Sequence, residues 1–180
     1  MKIKEVTEIL ISLGWIPRKD EVGDRCSIYT LADRFVQIIY DLNKIRDQQK
    51  FGAMLSLSTS SFSESCSYIA QERMSYAPLV RAWKGIDIRA SEIIEQHIRQ
   101  ASELAIEWAN TQDLNKALND HAALPTDALG ARPLWHLAAL AALGDIEKLQ
   151  VYKSNFEAGN RLGFVNYVTT DYIDRALAGR

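Results

Sequence analysis

The sequence predicts an α+β fold: an N-terminal helix, a small antiparallel sheet of about three strands, and then a predominantly helical C-terminal half packed on that sheet. Three observations lead to this prediction. Apolar residues recur at helical spacing near the N-terminus, and β-branched and aromatic runs follow before residue 60. Beyond residue 88 the apolar residues again follow a helical spacing. Strands and helices that are segregated along the chain are typical of the α+β class.

The first helix is predicted over residues 3–13, where isoleucine, valine and leucine share one face and Gly14 follows as a stop. The charged segment over residues 18–24 is predicted to be a loop. Two strands over residues 28–31 and 35–40 then form a hairpin, although a single longer strand fits the same residues.

A polar link over residues 43–50 is predicted to lead to the third strand, residues 51–59. The alternation of leucine and serine over residues 55–58 predicts that Ser56 and Ser58 face solvent. Seven serines lie between residues 56 and 67, which raises the possibility of a nucleophile. No G-x-S-x-G or S-x-x-K motif accompanies them, so we interpret them as structural, with Ser61 opening a short helix.

The C-terminal half is predicted to begin with a long helix over about residues 90–109, capped by Ser91. A helix over about residues 112–121 and a loop over residues 122–131 follow. The residues that this pattern places in one core under the sheet are Ile94, Leu104, Trp108, Leu137 and Leu149.

Length and composition fit one domain over residues 1–180, with a sheet-bearing part of about residues 1–88 and a helical part of about residues 89–180. No apolar run approaches the roughly 18 residues that a membrane-spanning helix needs. The N-terminus lacks the continuous apolar segment of a signal peptide. We therefore expect a cytoplasmic protein that does not engage a membrane.

The residue types that usually carry chemistry are sparse and scattered. His97, His121 and His136 have no second ligand at helical spacing, so we predict no metal site, no catalytic residue and no bound cofactor. Cys26 and Cys66 lie 40 positions apart and are expected to be reduced, buried thiols. A sequence pI of about 5.9 and the absence of glycine-rich phosphate loops argue against a nucleic-acid partner.

One charge pattern suggests a partner. Glu92, Glu95, Glu103 and Glu107, with Arg99 among them, recur every three or four residues and therefore fall along one side of the predicted long helix. This acidic row fits an ordinary solvated helix face, and it also fits a docking surface for a basic partner. If the row is only a solvated face, the contact surface is expected in the sheet or in the loop over residues 18–24.

Two segments resemble known families. Residues 133–149 resemble a single ankyrin helix pair, with Trp135 inserted and no second copy, so we predict a helical hairpin rather than an array. The order of helix, sheet and helices, with the tail from Gly144 to Tyr167, resembles small cytosolic immunity proteins of bacterial toxin–immunity systems, such as contact-dependent inhibition and type VI secretion.

The second resemblance implies a non-catalytic protein that binds and neutralises one cognate toxin domain, with a basic nuclease domain as one such partner. Two alternatives stay open. The chain is also similar to acidic secretion chaperones, which hold a segment of an effector, although its long helical half departs from their plan. The other alternative is an enzyme whose catalytic residues assemble only in space.

Overall fold

The architecture comes from a computed structural model, which describes residues 1–20, 23–72, 74 and 76–179. Within these residues the strands are β1 (Ile16–Lys19), β2 (Arg25–Thr30), β3 (Phe35–Ile45), β4 (Gln48–Ser58), β5 (Val80–Arg81) and β6 (Ile86–Ala90). The helices are α1 (Ile3–Ser12), α2 (Ser60–Ala70), α3 (Glu95–Asn110), α4 (Leu114–Ala122), α5 (Arg132–Leu143), α6 (Ile146–Glu157) and α7 (Thr170–Ala178).

These elements group into two compact units. The first contains Met1–Leu57 and Val80–Gln112, and the second contains Ser58–Leu79 and Asp113–Arg180. That residues 1–180 make one domain stays a prediction. None of the helices in the described ranges combines the length and the apolar character needed to cross a bilayer.

The first unit holds a six-stranded antiparallel sheet in the order β1-β2-β3-β4-β5, in which β6 also pairs with β4. The α+β class agrees with the sequence analysis, but the prediction of about three strands is wrong. The strands that were missed, β1, β5 and β6, are short. Their residues are exposed or half-buried, and their neighbours β2 and β4 hold them in place. Strands β1 and β5 carry no hydrophobic pattern, and the alternation in β6 covers only five residues.

The predicted polar link over residues 43–50 is also part of the sheet. Strand β3 continues to Ile45 and β4 begins at Gln48, so the two strands meet in a tight turn. Arg46 takes up a left-handed backbone conformation there, with φ of 54°. The charged segment over residues 18–24 is likewise partly strand, because Arg18 and Lys19 of β1 pair with β2. Residues 21 and 22 of that segment lie outside the described residues.

Helix α3 presents a different face to the core from the one the sequence predicts. It begins at Glu95, five residues later than predicted, and buries a stripe of mostly small residues: Ile98, Ala101, Ser102, Ala105 and Ala109. The predicted core residues Ile94 and Leu104 are instead 52% and 43% exposed, and Trp108 is half-buried. The indole Nε1 of Trp15 donates to Ser102 Oγ at 2.8 Å, on the face of α3 that carries the small residues.

The C-terminal end of α3 is held by Arg34, which lies in the turn between β2 and β3. Its guanidinium Nη1 donates to the backbone oxygens of Ala109 and Gln112 at 3.0 and 3.1 Å. A cation at this place satisfies carbonyl groups that the helix leaves without partners and opposes the negative end of the helix dipole.

We expect Arg34→Met to lower the free energy of unfolding by about 1.5–3 kcal/mol, because methionine keeps the aliphatic stem and loses charged hydrogen bonds. The measurement is chemical denaturation followed by circular dichroism. Arg89→Met is the matched control, since Arg89 is 60% exposed and its ion pair with Asp87 is at the surface. Equal losses in the two variants would show that Arg34 does not stabilise the end of α3.

The second unit is a set of helices that includes the predicted hairpin. Helices α5 and α6 are joined at Gly144, which adopts a φ of 70°, and Asp145 Oδ1 accepts a hydrogen bond from the backbone nitrogen of Lys148 at 3.1 Å. Leu137 and Leu149, both predicted as core, are fully buried in this unit. The hairpin prediction is confirmed. It could be made from the sequence because a left-handed glycine and an aspartate cap are local signals.

Two serines of the segment over residues 56–67 are placed differently from the prediction. Ser58 is fully buried and Ser56 is 9% exposed, so the prediction that both face solvent is wrong. The hydroxyl groups of Ser58 and Ser63 lie 2.9 Å apart, and Ser58 also donates to the backbone oxygen of Ala77. Helix α2 is capped by Thr59, which accepts from the backbone nitrogen of Phe62 at 3.2 Å, rather than by Ser61.

Candidate functional site

The pairing with β4 is interrupted between β5 and β6, at the edge of the sheet. Along β4, Ser56 pairs with Arg81 and Ala53 pairs with Ile86. Two residues of β4 lie between these pairs, whereas the edge chain has four, residues 82–85. The edge therefore bulges away from the sheet, and such bulges commonly redirect a side chain at an edge or a binding site.

Trp83 lies at the centre of this bulge and is 95% exposed, which is the largest exposed fraction among the exposed large hydrophobic side chains. Ala82 still bonds to the sheet, since its backbone nitrogen donates to the oxygen of Leu55 at 3.0 Å. Only the residues after it leave the ladder. A tryptophan normally buries much of its surface, so an indole held in solvent on an ordered edge is a candidate binding residue.

Gly85 allows the bulge to return to the sheet. A Cβ at this position would lie 2.5 Å from the backbone oxygen of Ala53 and 2.9 Å from Sδ of Met54. Only glycine fits against the backbone oxygen without moving β4, so this residue determines where the bulge ends. Met54 is itself 55% exposed beside it.

The charges around the bulge are mostly positive. Arg81 and Lys84 flank Trp83 in the chain and both are exposed. Asp87 contacts Lys50 Nζ at 2.8 Å and Arg89 Nε at 3.1 Å. The hydrogen bond from Arg89 and then the one from Lys50 lower the pKa of the Asp87 carboxyl group, so this acid remains ionised and engaged by its two neighbours.

A groove of about 810 Å³ opens next to the bulge. Lys84, Gly85 and Asp87 line it from the edge, and strands β3 and β4 form its floor. Its charged lining residues are balanced in sign: Asp24, Asp41, Asp87, Arg25, Lys50 and Lys84. Gly52 lies at the floor, where a Cβ would come within 2.7 Å of Asp41 Oδ1, so its absence leaves room for that carboxylate.

Three of the four predicted partner-binding glutamates, Glu95, Glu103 and Glu107, lie on one side of α3, and their binding role stays a prediction. Glu92 precedes α3, and its Oε1 accepts from the amino group of Met1 at 3.1 Å. Glu95 Oε1 is paired with Arg99, 2.6 Å from Nη2. Glu103 and Glu107 are exposed one turn apart on α3, and within the described residues neither forms an ion pair. Glu92 leaves the row because α3 begins later than predicted, and Glu95 differs from the last two because Arg99 pairs with it.

The buried titratable groups are occupied by structural contacts. His136 is fully buried, with Nδ1 3.0 Å from the backbone oxygen of His121 and Nε2 2.9 Å from the hydroxyl of Tyr152. His97 Nδ1 accepts from the backbone nitrogen of Ile94 at 3.1 Å. Among the residues that the structure describes, no three histidine, cysteine, aspartate or glutamate side chains are grouped to hold a metal ion.

The cysteines are buried and free. Burial is the main cause that raises the pKa of both thiols, to about 12 for Cys66. A thiol whose pKa is raised by burial is a poor nucleophile, because the thiolate is the reactive form.

The sequence analysis missed Trp83 because the residue lies between the predicted strands and the predicted helices. One signal was available. Trp83 stands in the run Arg81-Ala82-Trp83-Lys84-Gly85, where an aromatic residue interrupts a short turn that carries two cations. A hydrophobic pattern alone does not tell such a tryptophan from a core residue.

Comparison with known proteins adds the family and nothing more specific. No curated protein matches the chain, and no solved structure matches it. The model of a family of unknown function, DUF6990, matches residues 2–178, which is nearly the full length. The chain therefore belongs to the DUF6990 family.

Proposed function

We propose that this protein acts by binding a protein partner without catalysis, and that it is an immunity protein which neutralises a toxin domain in the cytoplasm. The observation that supports binding is Trp83, 95% exposed on the bulge of the edge strand. The toxin as partner rests on the resemblance to immunity proteins.

An exposed tryptophan on a rigid edge suits a binding role for two physical reasons. Tryptophan is enriched among the few residues that dominate interface energies, where its removal costs about 2 kcal/mol or more. The backbone on both sides of the bulge is held by β4, through Arg81 and Ile86. The indole is thus presented with little loss of conformational freedom on binding, which favours affinity.

The buried polar groups favour binding over catalysis. His136 uses both ring nitrogens in hydrogen bonds, and burial lowers its pKa. Cys66 is buried with a raised pKa. A general base or a nucleophile needs reach to a substrate, and these groups instead support the packing of the second unit.

We expect Trp83→Ala to weaken the complex with the protein encoded by the neighbouring gene by about 30-fold or more, the effect of losing one interface anchor. Leu129→Ala is the matched control: Leu129 is 75% exposed and also apolar, and its removal should change affinity by less than about twofold. Isothermal titration calorimetry gives both values, together with the stoichiometry.

The stoichiometry from this titration, together with a test of cell protection, separates the alternatives. A 1:1 complex of two folded chains, together with protection of cells that express the partner, supports an immunity protein. A dimer of this chain around an extended effector segment would instead indicate a secretion chaperone. Equal affinities of the wild type and the Trp83→Ala variant would rule out Trp83 as the anchor.

A further inference from the structure

The surroundings of Trp83 carry information about the surface that receives it. Arg81 and Lys84 are exposed on either side of the indole. Lys84 has no ion pair within the described ranges. The nearby acid, Asp87, is shared between Lys50 and Arg89, so it does not neutralise the bulge. Lys84 is thus an unneutralised cation next to Trp83 in the chain, and Lys50 and Arg89 together exceed Asp87 by one positive charge, although the formal net charge of the chain is −2.

Two kinds of macromolecule could match an aromatic ring among cations. Single-stranded nucleic acid stacks its bases on aromatic rings while cations meet its phosphates. The groove next to the bulge does not favour this, because its three aspartates balance its three cations and it offers no net positive track for a phosphate backbone. A protein surface needs no such track, since a single carboxylate placed opposite Lys84 is enough.

We propose that the partner surface which receives Trp83 is an apolar pocket rimmed by carboxylates. This inference rests on the proposed function only in taking the partner to be a protein. It differs from the acidic row of the sequence analysis, which would require a basic partner. One of these carboxylates pairs with Lys84 beside the indole and speeds the encounter, as complementary charges do across interfaces.

The test is the association rate constant, measured by stopped flow at low and high salt with the protein encoded by the neighbouring gene. We expect Lys84→Glu to slow association about fivefold at low salt and to weaken its dependence on salt. The paired variant Glu103→Lys/Glu107→Lys should leave the rate within about twofold. Lys4→Glu is the control for charge alone, since Lys4 is 86% exposed on α1, outside the bulge.

Each other outcome counts against a stated proposal. A complex that forms with slower association in the Glu103→Lys/Glu107→Lys variant, or with an unchanged or faster rate in Lys84→Glu, overturns the acidic pocket and leaves the proposed function standing. The lack of any complex overturns both. Binding of a 20-nucleotide oligo-dT that is lost in Trp83→Ala would replace the protein partner with nucleic acid.

Discussion

Replacing Ile98 with alanine is expected to lower the free energy of unfolding by about 2–5 kcal/mol, the range for removing a large side chain from a packed core. Ile98 is fully buried on α3, against the sheet of the first unit. Its side chain is flanked on the helix by Ala101 and Ser102, which are small and cannot fill the cavity left behind. Urea denaturation followed by circular dichroism gives the change.

Leu104→Ala in the same helix is the matched control. The sequence places Leu104 in the core, which would give a loss in the same range, but the side chain is 43% exposed. Because it is only partly withdrawn from water and leaves no closed cavity, we expect a loss below about 1 kcal/mol. A larger loss for Leu104→Ala than for Ile98→Ala would mean that α3 is rotated from the orientation described.

The contrast between these two residues shows what periodicity can and cannot predict. The spacing of apolar residues correctly indicates a helix after residue 90, because helical period is a local property. It does not determine which residues on the border of the stripe face the core. That choice depends on Trp15, which lies 87 positions from Ser102 and hydrogen-bonds to it. Sequence patterns do not contain such contacts.

The sheet illustrates the same limit. Strands β2 and β3 carry β-branched and aromatic runs, and β4 carries an alternation of leucine and serine, so all three are predictable. Strand β6 has only half-buried apolar residues alternating with Asp87 and Arg89, and its place depends on its pairing with β4. Short edge strands with charged residues are a common way to limit unwanted pairing, and the same charges hide them from prediction.

The candidate site was the least predictable part. The acidic row was derived by extending a helix to residue 92. The later start of α3 leaves Glu92 off the helix, and Arg99 pairs with Glu95, so Glu103 and Glu107 are the two that are exposed and without ion pairs within the described residues. Trp83 was overlooked because its importance lies in being exposed, and exposure follows from the two extra residues of the bulge. Register between strands sets that bulge, and register is a property of the folded sheet.

The second large effect expected is a loss of stability in mildly acidic solution, caused by His136. The backbone oxygen of His121 can only accept, so Nδ1 of His136 carries the proton, and Nε2 accepts from the Tyr152 hydroxyl. Protonating Nε2 would remove this acceptor. Burial is the main cause that lowers the pKa of His136 below its ordinary value of 6.5, so the native ring stays neutral.

The sign follows from proton binding. Below pH 6.5 this histidine is protonated in the unfolded chain and stays neutral in the native state, so proton binding favours the unfolded state. This contribution to stability is complete above about pH 7.5 and is lost as the pH falls from 6.5 towards the native pKa, at up to about 1.4 kcal/mol per pH unit. Asp33 and Asp87, whose pKa values are lowered from 3.8, act only at more acidic pH.

We therefore expect urea denaturation of the wild type to give a free energy of unfolding that falls between pH 7.5 and 5.5, and His136→Gln to lack this one-proton part of the slope. The glutamine variant should be less stable at pH 7.5 by about 1–3 kcal/mol, because its amide cannot keep both hydrogen bonds in the same geometry. Other groups titrate alike in both proteins, so the difference between the two slopes isolates His136. Parallel slopes would show that the pKa of His136 is the same in the native and the unfolded state, and would contradict the lowering by burial.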